Sequence, residues 1–362
     1  MSTSVGHGRH EVPEEAAPPQ GIWAEFKDAV ALRTVALIVG VLLLQLGFVL
    51  SYVGAFHAPT PKNIPLAVVS SSAQASDQVA AQLNVITGTP LRATVVTDRE
   101  TAERQIRNGE LSAALLVDPQ GTADTLLTSS GGGVSVSGAV TSVIDQVEAA
   151  QKRTVTVTDI VPLQGGDGRG LTGFYLVIGW LVGGYLVASL LGVAAGARPA
   201  TPRRAWFRLI AIVPYAIVSG LGGALIVDQV LGALTGHFMS LWWLGALLVA
   251  SAAAATMAFQ VLFGVIGIGI TVLVFVVLGN PSAGGAYQTT LLPPFWRALS
   301  NALPNGAGTD AVRRIVYLGS NGITGHLVVI AIYAVAGAAV AIAGSHLIQR
   351  RSLRADGTQA LA

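Results

Sequence analysis

Cysteine is absent from the chain, which excludes disulfides, thiolate nucleophiles and cysteine-ligated metals. Charge is nearly as scarce: Asp, Glu, Lys and Arg make up 11% of the 362 residues, against roughly 25% in an average soluble domain. Acids almost vanish from the second half, where only Asp228, Asp310 and Asp356 lie beyond residue 170. The lysines are Lys27, Lys62 and Lys152, and none follows a G-x-x-x-x-G turn, so the chain has no phosphate-binding loop of the kind ATPases use. His7, His10, His57, His237, His326 and His346 never pair at a spacing of four and form no H-E-x-x-H, so neither a metal nor a cofactor site is expected. No G-x-S-x-G elbow is present either, and the chain is not expected to be an enzyme.

What is present is apolar. Hydrophobic residues make up 52% of the chain and its mean hydropathy is +0.62. The first run, residues 34–56 (TVALIVGVLLLQLGFVLSYVGAF), exceeds the roughly 7 to 15 residues of a signal-peptide core and is followed by no small-x-small cleavage site. It is expected to be a retained first transmembrane helix. Five further apolar segments lie at about 172–195, 207–231, 240–258, 261–279 and 323–347. The run from Leu241 to Leu278 is about twice the ~20 residues that cross a bilayer, so two spans joined near Phe259 and Gln260 are expected.

The fold class expected is therefore a polytopic α-helical membrane protein with six transmembrane helices, five of them within 171–347. Residues 1–20, rich in Pro, Glu, Gly and His, read as a disordered tail. Residues 21–33 read as an amphipathic elbow helix, with Ile22, Phe26, Ala29 and Val30 at helical spacing. Residues 348–362 form the other tail.

Between the first and second spans the composition is that of a soluble domain, with eleven acids and eight basic residues over 57–170. NIPLAVVSS, LRATVV and LSAALLVDP read as strands; SDQVAAQLNVITG and TDRETAERQIRNG read as helices, the second opened by Thr97 or Asp98 and closed by Gly109. After glycines 131–133 come a helix at about 137–152 and the strand TVTVTDIVPL. The pattern describes one small α/β domain inserted between helices 1 and 2.

Basic residues set the expected sidedness. The first 33 residues, the loop ARPATPRRAWFR and the C-terminal tail hold ten; the short loops on the opposite side hold three, Arg297, Arg313 and Arg314. Both termini are thus expected in the cytoplasm and residues 57–170 outside. The +2 net charge and the pI near 9 reflect this topology and not a nucleic-acid surface.

Residues 280–322 are too apolar for an ordinary loop and too broken by proline for a span. Between Pro294 and Pro304, Phe295, Trp296, Leu299 and Leu303 can share a helical face, with Arg297, Ser300 and Asn301 opposed. Beyond Gly308, Thr309 can cap a second short helix. Such pieces suit the headgroup boundary of the outer leaflet, with Trp296, Arg297, Arg313 and Arg314 as a candidate outer gate or as headgroup anchors.

The phrases GNPSAGG, LPPFWRALSNALP and AVRRIVYLG, with NIPLAVVSS and IRNGELSAALLVDP earlier, resemble the membrane subunits of type-2 ABC exporters, nearest the YhgE/Pip (phage infection protein) branch. That resemblance covers the layout of nearly the whole chain, although this external domain is shorter than is common in that branch. It implies a re-entrant or interfacial element before the last span, a homodimer of six-span halves and a separate ATPase subunit. It also places the first cytoplasmic loop, with Arg198, Arg203 and Arg204, beside that ATPase; the plain alternative is anchorage to anionic headgroups. Gly179 and Gly183 form a small-xxx-small step that fits either intramolecular packing or a dimer seam. Asp228 is the polar residue within the spans, either capping a helix end or coupling an ion. The function these features imply is export of a lipid-like or hydrophobic substrate through a permease among membrane lipids. A non-transporting envelope scaffold or receptor, acting through the external domain, is the alternative.

Overall fold

The computed structural model describes residues 32–199 and 201–359, with side chains from 34 to 351. The expected tail 1–20 and nearly all of the expected elbow 21–33 lie outside these residues. Leu32 and Arg33 already belong to the first helix, α1 (Leu32–Phe56).

An α/β unit comes after α1 in the chain: β1 (Ile64–Ser70), α2 (Ala73–Asn84), β2 (Leu91–Val95), α3 (Arg99–Arg107), β3 (Ala113–Val117), β4 (Ala123–Thr128), α4 (Val134–Ala150) and β5 (Thr154–Asp159). Strand order is β2-β1-β3-β4-β5. β1 runs parallel to β2 and β3, while β4 runs antiparallel to β3 and parallel to β5. β1 lies inside the sheet and is covered on both faces. Leu66 and Val68 join Leu83, Val140 and Ile144 beneath α2 and α4, while Ala67 and Val69 join Ala102 and Ile106 beneath α3. The strict alternation stems from the two-residue period of a strand, and each such fully buried large side chain stabilises by about 1.5–3 kcal/mol.

The expected strands and helices are present, and β4 is additional. ADTLLT lies between the turn-forming DPQGT and glycines 131–133, and its strand character is realised only by pairing with β3. Helix ends obey side-chain chemistry. Ser72 accepts from the Ala75 amide to open α2, Asp98 accepts from the Thr101 amide at 2.8 Å to open α3, and Gly109, at φ +71°, lies just past its end.

Next come α5 (Thr172–Ala195), α6 (Pro202–Leu225, continued by a wider π turn to Val230) and α7 (Phe238–Phe263). Beyond them are α8 (Ile266–Ser282), α9 (Pro294–Ala302), α10 (Pro304–Tyr317) and α11 (Thr324–Gln359). Among the described residues five helices are long and apolar enough to cross a membrane: α1, α5, α6, α7 and α11. They are consistent with a multi-pass membrane protein. α7 is the hub, packed by α5, α6 and α11. Its small residues from Ser251 to Ala255 admit close neighbours: a Cβ on Gly337 of α11 would stand 2.6 Å from the Ala254 carbonyl carbon, so glycine is what permits that approach.

α8 is shorter, with seven residues of α-helix, six of wider π winding and four more of α-helix. At 1.5 Å per residue it reaches roughly 25 Å, short of the ~30 Å hydrocarbon core. The turn before it falls at Gly264 and not at Phe259 and Gln260, which lie inside α7 with Gln260 buried. Gly264 takes φ +65° and its amide closes on the Gln260 carbonyl at 2.7 Å; a polar side chain within an apolar run does not stop a helix, whereas a left-handed glycine does.

Two further expectations are corrected. α10 opens at Pro304 and runs through Gly306 and Gly308, so Thr309 is no cap; its hydroxyl donates back to the Asn305 carbonyl. On α9 Phe295 is 59% exposed whereas Ser300 is buried, because Ser300 meets the Thr289 hydroxyl.

Candidate functional site

The segment from Gln288 to His326 is the seat of the α/β unit. Nine of the twelve residues of α10 from Asn305 to Val316 are buried, the exceptions being Asp310, Arg313 and Arg314. Four contacts fasten the unit to this seat. Backbone amides of Thr60 and Lys62 donate to the Leu291 and Thr290 carbonyls at 3.1 Å. The Gln288 side-chain oxygen accepts from the Ser135 hydroxyl and from the Val136 amide at 3.1 Å, supplying from afar the N-terminal cap that Gly133 cannot give α4. The Tyr317 hydroxyl donates to Asp167 at 2.8 Å, and Asp167 also receives the Thr172 amide at the start of α5. Finally, Asn321 donates to Asn108 at 3.1 Å while Gly109 lies against Leu318 and Arg314. A Cβ at Gly109 would stand 2.7 Å from the Leu318 side chain.

Between unit and seat lies a cavity of about 300 Å³. Gly109, Ser112 and Ser129 line it from the α/β side; Thr290, Ser300, Asp310, Arg313, Arg314 and His326 line it from below. Asp310 is the hub of its charges. Its two oxygens meet Arg313 Nη1 at 2.9 Å, Arg314 Nε at 2.8 Å and His326 Nε2 at 2.9 Å. The arginines reach it because they stand at the third and fourth positions after it, one helical turn on. Burial pushes the Asp310 carboxyl up, but the His326 hydrogen bond and the Arg313 and Arg314 charges outweigh it and hold the carboxyl well below the ordinary carboxylate range. Two guanidiniums face one carboxylate, so the arginines alone leave the cluster an excess of positive charge. Arg313 further donates to the Gly284 carbonyl and Arg314 to the Asn321 carbonyl.

The other residues singled out from sequence are dispersed. Trp296 is 8% exposed and packs with Ala55 and Leu292. Arg297 donates to the Thr289, Thr290 and Leu292 carbonyls and braces the hairpin before α9. Arg198 closes α7 by donating to the Val261 and Leu262 carbonyls, while the side chains of Arg203 and Arg204 are exposed and have no partner among the described residues. Gly183 meets Tyr215 of α6, whose hydroxyl donates to its carbonyl, whereas Gly179 is open. Asp228 is buried at the π turn ending α6 and accepts from Gln229 at 3.0 Å, away from the cavity.

Sequence reasoning does not single out Asp310 or His326 as site residues. Asp310 has a signal, being one of three acids beyond residue 170; His326 has none, since it lies sixteen positions away on another helix. Asn305 escapes it as well. Fully buried, it donates to the Phe275 carbonyl at 2.9 Å and to Asn280 at 3.0 Å, tying α10 to the π-wound part of α8.

Comparison with protein-family models, with curated proteins and with solved structures finds no match to this chain.

Proposed function

We propose that the chain is the membrane subunit of an ABC-type exporter, moving a lipid-like or hydrophobic substrate outward with ATP hydrolysed by a separate subunit. In this reading α8 is the fifth of six spans and α11 the sixth, both termini are cytoplasmic, residues 57–170 are extracytoplasmic and 280–322 is a re-entrant outer segment. Two copies and surrounding lipids complete the working unit, with Arg203 and Arg204 free to meet the ATPase.

The observation that carries the reading is α8 together with the hairpin after it. A helix too short to span alone, loosened by π winding, runs into a buried proline-broken hairpin beneath a polar cavity. Irregular backbone at membrane depth is tolerated only where protein buries it or where it lines a watery space. Discontinuous helices of this kind mark substrate sites in transporters.

Purification in mild detergent tests it: an ATPase subunit and bound lipid should accompany the chain, and the chain alone should hydrolyse no ATP. Lipid movement by the isolated chain in liposomes, driven by an ion gradient, would overturn the reading and turn attention to Asp228.

A scaffold or receptor is the second reading, favoured by one feature of the α/β unit. Val85 is 80% exposed, beside a shallow groove lined by Ile86, Pro90, Val143 and Val147. Recovery of a wall component or partner protein on residues 57–170, with no ATPase, would select it.

A further inference from the structure

We infer that the cavity between the α/β unit and α10 is an oxyanion-binding site, built for a phosphate- or carboxylate-bearing group. As a statement about cargo this rests on the export reading, and it gives that cargo an anionic head; as a statement about binding it stands on the cavity alone.

Four features of the lining carry it. Asp310 is the acid among the lining residues, and it is outnumbered by Arg313 and Arg314 before His326 is counted. A guanidinium offers five N–H donors in a planar fork. Arg313 spends two on Asp310 and Gly284, and Arg314 spends two on Asp310 and Asn321. Both therefore keep unspent donors at the wall of a space of about 300 Å³. That space holds an oxyanion with its first waters but not a whole lipid, so any tail must lie elsewhere.

The second feature is the hydroxyl complement. Ser112, Ser129, Thr290 and Ser300 also line the space. The Thr290 hydroxyl is hidden from solvent and has no partner in the described residues. Hydroxyls can donate to a bound oxyanion, which turns an unmet polar group into a met one.

The third feature is Asp310 itself. It fixes both guanidiniums in one orientation, so a ligand would meet preset donors and not two floppy side chains. The fourth is closure. A Cβ on Gly109 would stand 2.7 Å from Leu318 and one on Gly322 would stand 2.9 Å from Arg314 Nη1, so two glycines from opposite elements close in on this wall. One wall therefore belongs to the α/β unit, and occupancy of the cavity bears directly on how that unit is seated.

The test uses the full chain in a neutral detergent. Inorganic phosphate, short-chain phosphatidic acid and short-chain phosphatidylcholine are the probes, read by melting temperature and by equilibrium dialysis. Saturable binding of phosphate identifies a free anion as sufficient; binding of phosphatidic acid alone identifies a lipid headgroup. Either supports the inference, provided the anionic probe binds at least tenfold more tightly than phosphatidylcholine. Arg313→Gln with Arg314→Gln should abolish that preference. Because that pair also holds Asp310, a second variant guards against misfolding: Ser112→Phe fills the cavity from the α/β side without touching the charges. It should reduce anion affinity at least tenfold with the melting temperature of the free protein unchanged. Equal binding of all probes, or undiminished anion binding by folded Ser112→Phe, would overturn the inference. Failure here with an ATPase still co-purifying would leave the export reading standing, and anion binding without an ATPase would do the reverse.

Discussion

Asp310 and Glu148 are two carboxyls pushed in opposite directions, and their environments set opposite responses to pH. Asp310 is surrounded by cations, so its contribution is present above the ordinary carboxylate range and is lost only in strong acid, as pH falls through its depressed value. Asp310→Asn leaves two neighbouring guanidiniums without their counter-charge. With the Asp310 side chain 28% exposed, a loss of roughly 2–3 kcal/mol is expected, somewhat below that of a fully buried pair. Thermal unfolding in detergent should register it equally from neutral to mildly acidic pH. Glu148 is buried in the α/β unit beside Asp124, which Arg153 already holds with Nη2 at 2.6 Å and Nε at 2.9 Å. Burial and the Asp124 charge push the Glu148 carboxyl up to about 7, from an ordinary value of 4.5. A raised carboxyl favours the folded state fully below 4.5 and loses that advantage as pH rises toward 7, on the order of 3 kcal/mol in all. The protection of β4 and β5 amides relative to their intrinsic exchange rates should therefore fall across that window in the native chain, and Glu148→Gln should remove most of that fall.

At the scale of elements, the helices depend on partners far along the chain. The N-terminus of α4 comes after three glycines that offer no capping side chain, and Gln288 supplies the missing acceptor. Gln288→Ala should cost about 1 kcal/mol, the ordinary worth of a cap, and should speed exchange of the amides at 134–137 before any other part of α4. The α8 helix has a similar dependence. Asn305→Leu strips the Phe275 carbonyl of a buried donor and should cost about 1–3 kcal/mol. Melting of the full chain reads the loss, and α8 amides should exchange faster than those of α7.

For the whole molecule, the decisive property is where the α/β unit stands. The seat formed by Gln288, Tyr317 and Asn321 makes it part of the same packed body as the helices from α5 onward. Reporter fusions after Asp124, at Arg203 and at the C-terminus should report the first outside and the other two in the cytoplasm, in line with the ten-to-three asymmetry of basic residues. A cytoplasmic report after Asp124 would reverse the proposed direction of transport.

Local chemistry was legible without coordinates. The apolar runs, the cap at Asp98, the stop at Gly109 and four of the five strands arise from periods, propensities and turn residues that act within a few positions. The tertiary structure decided what depends on neighbours distant in sequence. β4 exists because β3 offers it a partner, and Phe259 and Gln260 stay helical because α7, packed by α5, α6 and α11, runs on to the left-handed Gly264. Trp296 is buried because Ala55 and Leu292 enclose it. The cavity is the extreme case: its walls come from residues more than two hundred positions apart, and His326 reaches Asp310 from a different helix. Composition could say that Arg313 and Arg314 are rare charges in an apolar half, but only packing could set them around one carboxylate with donors to spare.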